Sequence, residues 1–342
     1  MTSPFRIGVS PLLDPARGKL QFPSYDLADL AADPAFEIAY YDVATPLAAD
    51  ALGGFDALVL LGERMAASSF PGDGRLKLIA RMGVGYDTVD VPGCTEHGVA
   101  LTITPPAVAR PMAVATLNFL LSLANNMMVK DRITREGPAG WAKRTDHHGL
   151  GLIGRVFAMV GLGNIGRETL RLIKPLDMEV IVHDPALSAA DAAELGVRLC
   201  DLDTIFREGD FVSLHCPLTD GTRRLVNAAR LAQTNPTAYL INTARGPVVD
   251  QAALYDALVA GTIAGAGLDV LDPEPSAADE AIAGLDNVIL APHALGWTDH
   301  MFAEMARLNM AAIRAVAGGQ NPDYVVNREV LDDPVFRAKL AG

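Results

Sequence analysis

Apolar residues along this chain come in short runs separated by longer stretches of helical periodicity. The first series of runs covers residues 5–9, 36–41, 57–61, 76–80 and 99–103. A second covers 156–160, 180–182, 211–214, 238–242, 265–268 and 288–290. Runs of this length with little alternation to polar residues read as strands covered on both faces, and their alternation with helices implies parallel sheets. The predicted fold class is therefore α/β, with two doubly wound parallel-sheet, Rossmann-like domains and a cleft between them. Thr104-Pro105-Pro106 separates the two series and opens a long helix expected to run through Met128. Another helix is expected over 299–316, followed by a tail over 321–340. If the tail packs on the first series, that domain is discontinuous, 1–105 plus 300–342, and the second domain is 106–299.

Composition narrows the class. A chain of 342 residues with half of them hydrophobic has material for two buried cores. The formal charge of −13, with no offsetting run of Lys and Arg, argues against a nucleic-acid surface. Cys94, Cys200 and Cys216 are odd in number and far apart, which fits neither a disulfide framework nor zinc spacing. No metal site is expected. The N-terminal residues show no signal-peptide pattern, and the most apolar helix, read as 113–124, is interrupted by Thr116, Asn118 and Ser122 and is shorter than a membrane span. The expectation is a soluble cytoplasmic protein with no membrane partner.

The strongest chemical signal lies at 156–184. A buried strand is followed by Gly161, Gly163 and Gly166 in G-x-G-x-x-G, then a helix, a second strand and Asp184, 18 residues after the third glycine. A glycine triplet alone is weak, but the whole unit is a dinucleotide-binding fingerprint. Gly161 permits the tight turn, Gly163 lets the backbone approach a pyrophosphate, and Gly166 lets the helix pack on its strand. The N–H groups of Asn164 and Ile165 open the helix, where free donors and the helix dipole favour phosphate. Asp184 can accept from the adenosine ribose and would repel a 2′-phosphate, and no Arg or Lys follows it in Pro185-Ala186-Leu187. NADH is thus expected over NADPH.

Three further residues fall at predicted strand ends: Arg245 in I-N-T-A-R-G, Glu274 in D-P-E-P, and His293 in A-P-H-A-L-G-W-T. Arg offers a planar fork for a carboxylate. His moves a proton near neutral pH, and a neighbouring carboxylate fixes its tautomer and favours imidazolium. Taken singly, the Arg is usually a solvated or capping side chain, the His more often structural, and the Glu commonly a loop residue. Together, beside a hydride donor, they supply what reduction of a 2-keto acid requires.

The motifs G-L-G-N-I-G (161–166), H-D-P (183–185), H-C-P-L-T (215–219), N-T-A-R-G (242–246), G-L-D-V (267–270), D-P-E-P (272–275), P-H-A-L-G-W-T (292–298) and R-M-G-V-G-Y-D (81–87) cover nearly the whole chain. In this combination the chain resembles the NAD-dependent, D-isomer-specific 2-hydroxyacid dehydrogenases. The resemblance implies His293 as general acid/base, Glu274 as its partner, and Arg245 on the substrate carboxylate and keto oxygen. It also implies backbone N–H groups of Val84 and Gly85 on the other side of that carboxylate. Cys216 and Pro217 would pack on the adenosine with Thr222 nearby, and Asp269, Thr243 and Ala244 would position the nicotinamide. His215, Arg245, His293 and Gly296 complete the implied cofactor contacts. Residues 1–105 plus 300–342 would be the substrate domain and 106–299 the NAD-binding domain. The segment near 113–150, carrying Trp141, would be the arm of a homodimer, and the partner molecule a small 2-keto or 2-hydroxy acid.

The chain departs from the commoner family pattern at Ala294-Leu295 and at Arg110-Pro111-Met112, where many relatives are more acidic. Glu63-Arg64-Met65 is expected to face the substrate. Trp297 either reaches the pocket or staples the following helix, and His147-His148 reads as a solvated loop. Two other classes compete: an NAD(H)-binding sensor or corepressor-like protein with poor turnover, and a phosphite-type dehydrogenase on the same scaffold. The intact Arg245, Glu274 and His293 set disfavours the first, and does not exclude the second.

Overall fold

A computed structural model describes residues 3–17 and 22–342. The chain forms two compact units, 1–108 with 297–342, and 109–296. The first holds β1 (Phe5–Val9), β2 (Phe36–Tyr40), β3 (Ala57–Leu60), β4 (Leu78–Arg81) and β5 (Ala100–Thr102), all parallel in the order β2-β1-β3-β4-β5. Ile7, Val9, Leu58, Leu60, Ile79 and Leu101 are buried to within 0% exposure, so both faces of the sheet are covered and the apolar runs need no alternation. The strand order reverses between β1 and β3, which makes their carboxyl ends the switch point of this sheet.

The exposed edge of β5 is closed by the returning tail. Val325 pairs antiparallel with Thr102, and Val326 N–H donates to the Leu101 carbonyl at 2.8 Å. The buried Asn327 amide finishes the edge: Oδ1 accepts from Leu101 N at 3.0 Å, and Nδ2 donates to Val99 O at 3.0 Å. The last helix, Pro334–Ala341, is capped by Asp333 and sends Lys339 Nζ to the carbonyls of Leu76 at 2.8 Å and His97 at 2.6 Å.

The second unit holds β6 (Val156–Val160), β7 (Glu179–His183), β8 (Arg198–Leu199), β9 (Phe211–Leu214), β10 (Tyr239–Asn242), β11 (Gly265–Leu268) and β12 (Val288–Leu290). They form one parallel sheet in the order β12-β11-β10-β9-β6-β7-β8, a doubly wound arrangement whose switch point lies between β6 and β9. One face is packed by Val160, Leu214, Leu240, Leu254 and Leu268, the other by Phe157, Met159, Phe211, Ile241 and Phe119. Gly267 is needed here, because a Cβ would lie 2.7 Å from the Phe119 ring.

The helix after β5 differs from its expected form in two ways. It spans Pro105–Ala124, 20 residues, with a mean hydropathy of 1.5, long and apolar enough to cross a membrane by length and composition. Half of that stretch is buried inside the protein, and Phe119, Leu120, Leu123 and Ala124 are core residues of the second unit. The helix also stops short of Met128, because Asn126 adopts a left-handed conformation (φ 51°). Met127–Arg135 then starts a separate helix. Asn tolerates that conformation better than most residues, a local preference that the continuous periodicity masked.

Candidate active site

The glycine loop joins β6 to the helix Asn164–Ile173. Gly161 has φ +97°, and a Cβ on it would sit 2.9 Å from the His215 carbonyl at the end of β9. A side chain at Gly166 would press to 2.7 Å on the Gly161 carbonyl, whereas one at Gly163 would meet nothing within 4 Å. The first and third glycines are thus demanded by the protein's own packing, and the second leaves open space where a ligand backbone can approach. The helix that begins there has no side-chain N-cap, so its first amides, including those of Asn164 and Ile165, face outward as an anion site. This cradle fits the pyrophosphate of a dinucleotide.

Asp184 follows β7. Its Oδ2 accepts from Leu162 N at 2.7 Å and its Oδ1 from Ala186 N at 2.8 Å, which holds the carboxylate beside the glycine loop. Across the switch point, His215, Cys216 and Pro217 follow β9. His215 Nε2 bonds Ser213 Oγ at 2.9 Å while Nδ1 is sealed from solvent with no partner among the described residues, and burial pushes the imidazole down to about 4. Burial pushes the Cys216 thiol up to about 11. The Thr222 hydroxyl turns into its own loop, donating to Pro217 O at 2.6 Å and accepting from Thr219 N at 2.8 Å. It shapes the 217–222 turn.

The carboxyl ends of β10, β11 and β12 carry the reactive set. Asn242 is buried and folds the loop after β10: its Oδ1 accepts from Ala244 N at 3.0 Å and its Nδ2 donates to Arg245 O at 2.9 Å. Thr243, next to it, meets Thr116 at 3.1 Å between hydroxyl oxygens. Arg245 Nη1 donates to Ala244 O at 2.8 Å.

His293 and Glu274 are brought together. His293 Nδ1 and Glu274 Oε2 lie 2.8 Å apart, and Glu274 Oε1 accepts from Leu271 N at 3.1 Å. Burial alone would raise the Glu274 carboxyl. The hydrogen bond and charge of His293, the Leu271 amide and the charge of Arg245 outweigh it and leave the group below its ordinary value.

His293 has φ +54°, a conformation costly for a side chain with a Cβ. Asp269 at the end of β11 holds it there. His293 N donates to Asp269 O at 2.7 Å, and Oδ1 of the same residue accepts from Ala294 N at 3.0 Å and Leu295 N at 3.1 Å. Burial raises the Asp269 carboxyl against the pull of those two amides. Asp269 therefore builds the turn that presents His293, a task the sequence motif did not reveal. Gly296 closes the turn against Met112, whose sulfur a Cβ would approach to 2.4 Å.

Two contacts joining the Arg245 and Glu274 loops had no signal in the sequence. A Cβ on Gly246 would lie 1.8 Å from the Leu271 carbonyl oxygen, so the two backbones are in close contact. Gln251 Oε1 accepts from Asp272 N at 3.0 Å.

In the first unit, Val84 and Gly85 lie in the turn after β4. That turn is anchored by Met82 N to Leu60 O at 2.8 Å, Thr104 N to Gly83 O at 2.9 Å, and Gly83 N to Thr104 Oγ1 at 3.0 Å. Among the described residues neither the Val84 nor the Gly85 amide has a protein acceptor. The expected substrate-facing loop 63–65 needs correction at one residue. Met65 is 1% exposed in the core of this unit, paired with Val89, because the loop after β3 turns inward there. Trp297 packs edge-on against Phe22 at 5.2 Å and Phe302 at 5.5 Å, which makes it a staple for the helix Asp299–Ala317.

Arg110, at one of the departures from the family pattern, donates to Glu168 Oε1 at 2.8 Å on the helix after the glycine loop. His147 and His148 lie in an exposed or half-exposed loop held by Asn126 Nδ2 to His148 O at 2.7 Å.

Residues 117–294 match the family described as D-isomer specific 2-hydroxyacid dehydrogenase, NAD binding domain. The chain is 39% identical over 284 residues to a glyoxylate reductase of Thermococcus onnurineus, covering 81% of this chain and 84% of that protein. It is 37% identical over 220 residues to a hydroxypyruvate reductase of Thermotoga maritima, covering 64% and 70%. Among solved structures it is similar to the holo form of D-mandelate dehydrogenase from Rhodotorula graminis, with a TM-score of 0.81 at 28% identity, over 95% of this chain and 98% of that one.

Proposed function

The chain belongs to the D-isomer specific 2-hydroxyacid dehydrogenase family and is an NAD-dependent oxidoreductase, and from that premise we propose that it reduces short 2-keto acids, of the glyoxylate and hydroxypyruvate class, to D-2-hydroxy acids. The observation that carries the site assignment is the His293–Glu274 pair at 2.8 Å, standing at the carboxyl ends of the sheet that also bears the dinucleotide cradle.

When bound, the nicotinamide supplies or accepts the hydride. His293 holds the proton. With Nδ1 turned to Glu274, Nε2 is left to protonate the keto oxygen in reduction and to take the hydroxyl proton in oxidation. Glu274, held ionised, fixes the tautomer and orientation of the ring. Arg245 binds the substrate carboxylate, and Val84 and Gly85 of the first unit offer backbone amides as substrate-binding donors. Gly161, Gly163, Asn164, Ile165 and Gly166 hold the pyrophosphate. Asp184 takes the adenosine ribose and disfavours a 2′-phosphate, so NADH is used in preference to NADPH. His215, Cys216, Pro217 and Thr222 border the adenosine side. Thr243, Ala244, Asp269 and Gly296 border the nicotinamide side together with Arg245 and His293. On this reading the segment 106–299 is the NAD-binding domain, and 1–105 with 300–342 the substrate domain.

We further propose a cytoplasmic homodimer. Three free cysteines suit a reducing compartment. Leu121, Met127, Met128, Trp141 and Ile153 are exposed apolar side chains in and beside the segment 113–150, material that a second copy could cover.

The test is NADH oxidation followed at 340 nm against 2-keto acids from glyoxylate and hydroxypyruvate to branched and aromatic ones, with NADPH in parallel. Turnover confined to the short acids with NADH supports the proposal. Silence across the panel despite measurable NADH binding overturns it in favour of a sensor.

A further inference from the structure

Glu274 stands on a loop that packing alone cannot hold. Between Leu271, which packs on the core, and Ile282 no side chain is buried, and residues 272–279 are all exposed. Pro273 and Pro275 carry no N–H, so the stretch 271–275 has backbone donors only at Leu271, Asp272 and Glu274. The Leu271 N–H stays within the loop, donating to Glu274 Oε1 at 3.1 Å. The Asp272 N–H leaves it and donates to Gln251 Oε1 at 3.0 Å.

Gln251 itself stands on firm ground. It is the first residue of the helix Gln251–Val259, which is capped by Asp250 and buries Leu254, Ala257 and Leu258. Asp250 N in turn donates to Val226 O at 2.8 Å. A backbone N–H can only donate, so the oxygen of the Gln251 amide must face Asp272. The connection that carries Arg245 and leads into this helix thus meets the Glu274 loop twice, in opposite senses. At Gly246 it is in close contact with the Leu271 backbone, which limits how near the loop can come. That contact does nothing to stop the loop from moving away, whereas the bond from Asp272 to Gln251 does.

We propose that Gln251 is a positioning residue for the reaction: it restrains the 271–275 loop from outside and so keeps Glu274 in place against His293. This rests on the proposed role of Glu274 in orienting His293. Gln251 acts through Glu274 alone, whose Oε2 lies 2.8 Å from His293 Nδ1. One neutral hydrogen bond adds little to stability. In an exposed loop interrupted by prolines it decides position, and rate is far more sensitive to position than stability is.

The experiment measures glyoxylate reduction and NADH binding in wild type, Gln251→Met, Gln251→Asn and Gln251→Glu, and repeats Gln251→Asn in a Glu274→Ala background. Met fills the same length without an acceptor, Asn keeps the amide but is a methylene too short, and Glu restores an acceptor oxygen at full length. Met and Asn should lower kcat about tenfold, with KM for glyoxylate and the NADH Kd within about threefold of wild type, and Glu should keep kcat within about threefold. A residue that acts through Glu274 loses its effect once Glu274 is gone, so Gln251→Asn should cost less than about twofold in the Glu274→Ala background. A residue that only supports the fold would cost the same factor in both backgrounds, and that result overturns the proposal. So does a Gln251→Asn enzyme with wild-type kcat, or a Gln251→Glu enzyme as impaired as Asn. Should Gln251→Met fail to fold, the Asn and Glu variants decide alone. If wild type reduces no 2-keto acid while binding NADH, the dehydrogenase assignment of the site falls, and this inference with it.

Discussion

Substituting Gly246 by Ala tests how the arginine and the acid–base pair are held in register. The added Cβ would lie 1.8 Å from the Leu271 carbonyl oxygen, 2.2 Å from its carbonyl carbon and 2.9 Å from Asp272 N. All three are backbone atoms, so no side chain can rotate away. Carbon and carbonyl oxygen normally meet at about 3.3 Å, so the 271–272 segment must retreat by roughly 1.5 Å. Glu274 hangs from that segment through its bond to Leu271 N, 3.1 Å long, and must follow or lose the bond. Displacement by about 1 Å near reacting groups costs on the order of 100-fold in rate, and overpacking costs about 1–3 kcal/mol of stability. The expected result is a loss of about two orders of magnitude in kcat/KM for glyoxylate reduction, a modestly lowered Tm, and an NADH Kd, read by fluorescence quenching, within about threefold of wild type. A variant that folds, binds NADH and keeps kcat/KM within threefold would refute the view that the Gly246–Leu271 contact places Glu274.

Other perturbations separate the proposed roles. His293→Ala should lower reduction by about 10²- to 10⁴-fold with NADH binding retained. Arg245→Ala should act mainly on KM for the keto acid, and a loss of NADH binding in either variant would show a structural role instead. In wild type, reduction should slow and oxidation quicken as pH rises, because reduction consumes a proton and oxidation releases one. Parallel pH profiles in the two directions would contradict this. Asp184→Ala should raise the NADPH-to-NADH ratio of kcat/KM about tenfold or more, and an unchanged ratio would remove Asp184 from cofactor choice. His215 bears on acid stability. Its folded value, pushed down to about 4 by burial, lies below the unfolded one, so its contribution is complete above about pH 6.5 and is lost as pH falls toward 4. The gap corresponds to a few kcal/mol. His215→Gln should flatten the fall of urea midpoints over that window, and an unaltered slope would count against the sealed neutral ring. Cys216, pushed up to about 11, should be alkylated slowly at pH 7.5 and faster only toward that value, as peptide mass spectrometry can follow. Rapid modification at neutral pH would mean that the thiol is activated.

Much of this architecture was legible in the chain itself. The runs at 5–9, 156–160, 211–214, 265–268 and 288–290 coincide with β1, β6, β9, β11 and β12, because strands buried on both faces carry uninterrupted apolar runs. The two-residue strand β8 left no such run and went unread. The glycine loop was legible because backbone approach leaves a residue type behind. The orientation of polar side chains was not. Asp269, Gln251, Asn242 and Ser213 act through hydrogen bonds fixed by tertiary placement, with partners that for Gln251 and Asp269 lie more than 20 residues away. Met65 follows two charged residues in the sequence yet lies in the core, since three residues after a strand give no periodicity from which to judge a face. The break at Asn126 escaped for a related reason: the polar and apolar positions on either side remain in helical phase across it.

The stitching of β5 by Val325 and Asn327 has a consequence for how the protein is made. The unit containing β1 to β5 is interrupted after residue 108 and resumes only at 297, so during synthesis its sheet stands with an open edge while the whole second unit emerges. An unpaired edge of apolar strands is a template for pairing with other chains. The second unit, contiguous in sequence, can close on the ribosome, whereas the first waits for the chain's final segment. Aggregation of nascent chains arrested before and after residue 330 would expose the difference, with the shorter chains the stickier. Here the order in which segments emerge, as much as the balance of contacts, sets how long the β5 edge stays open.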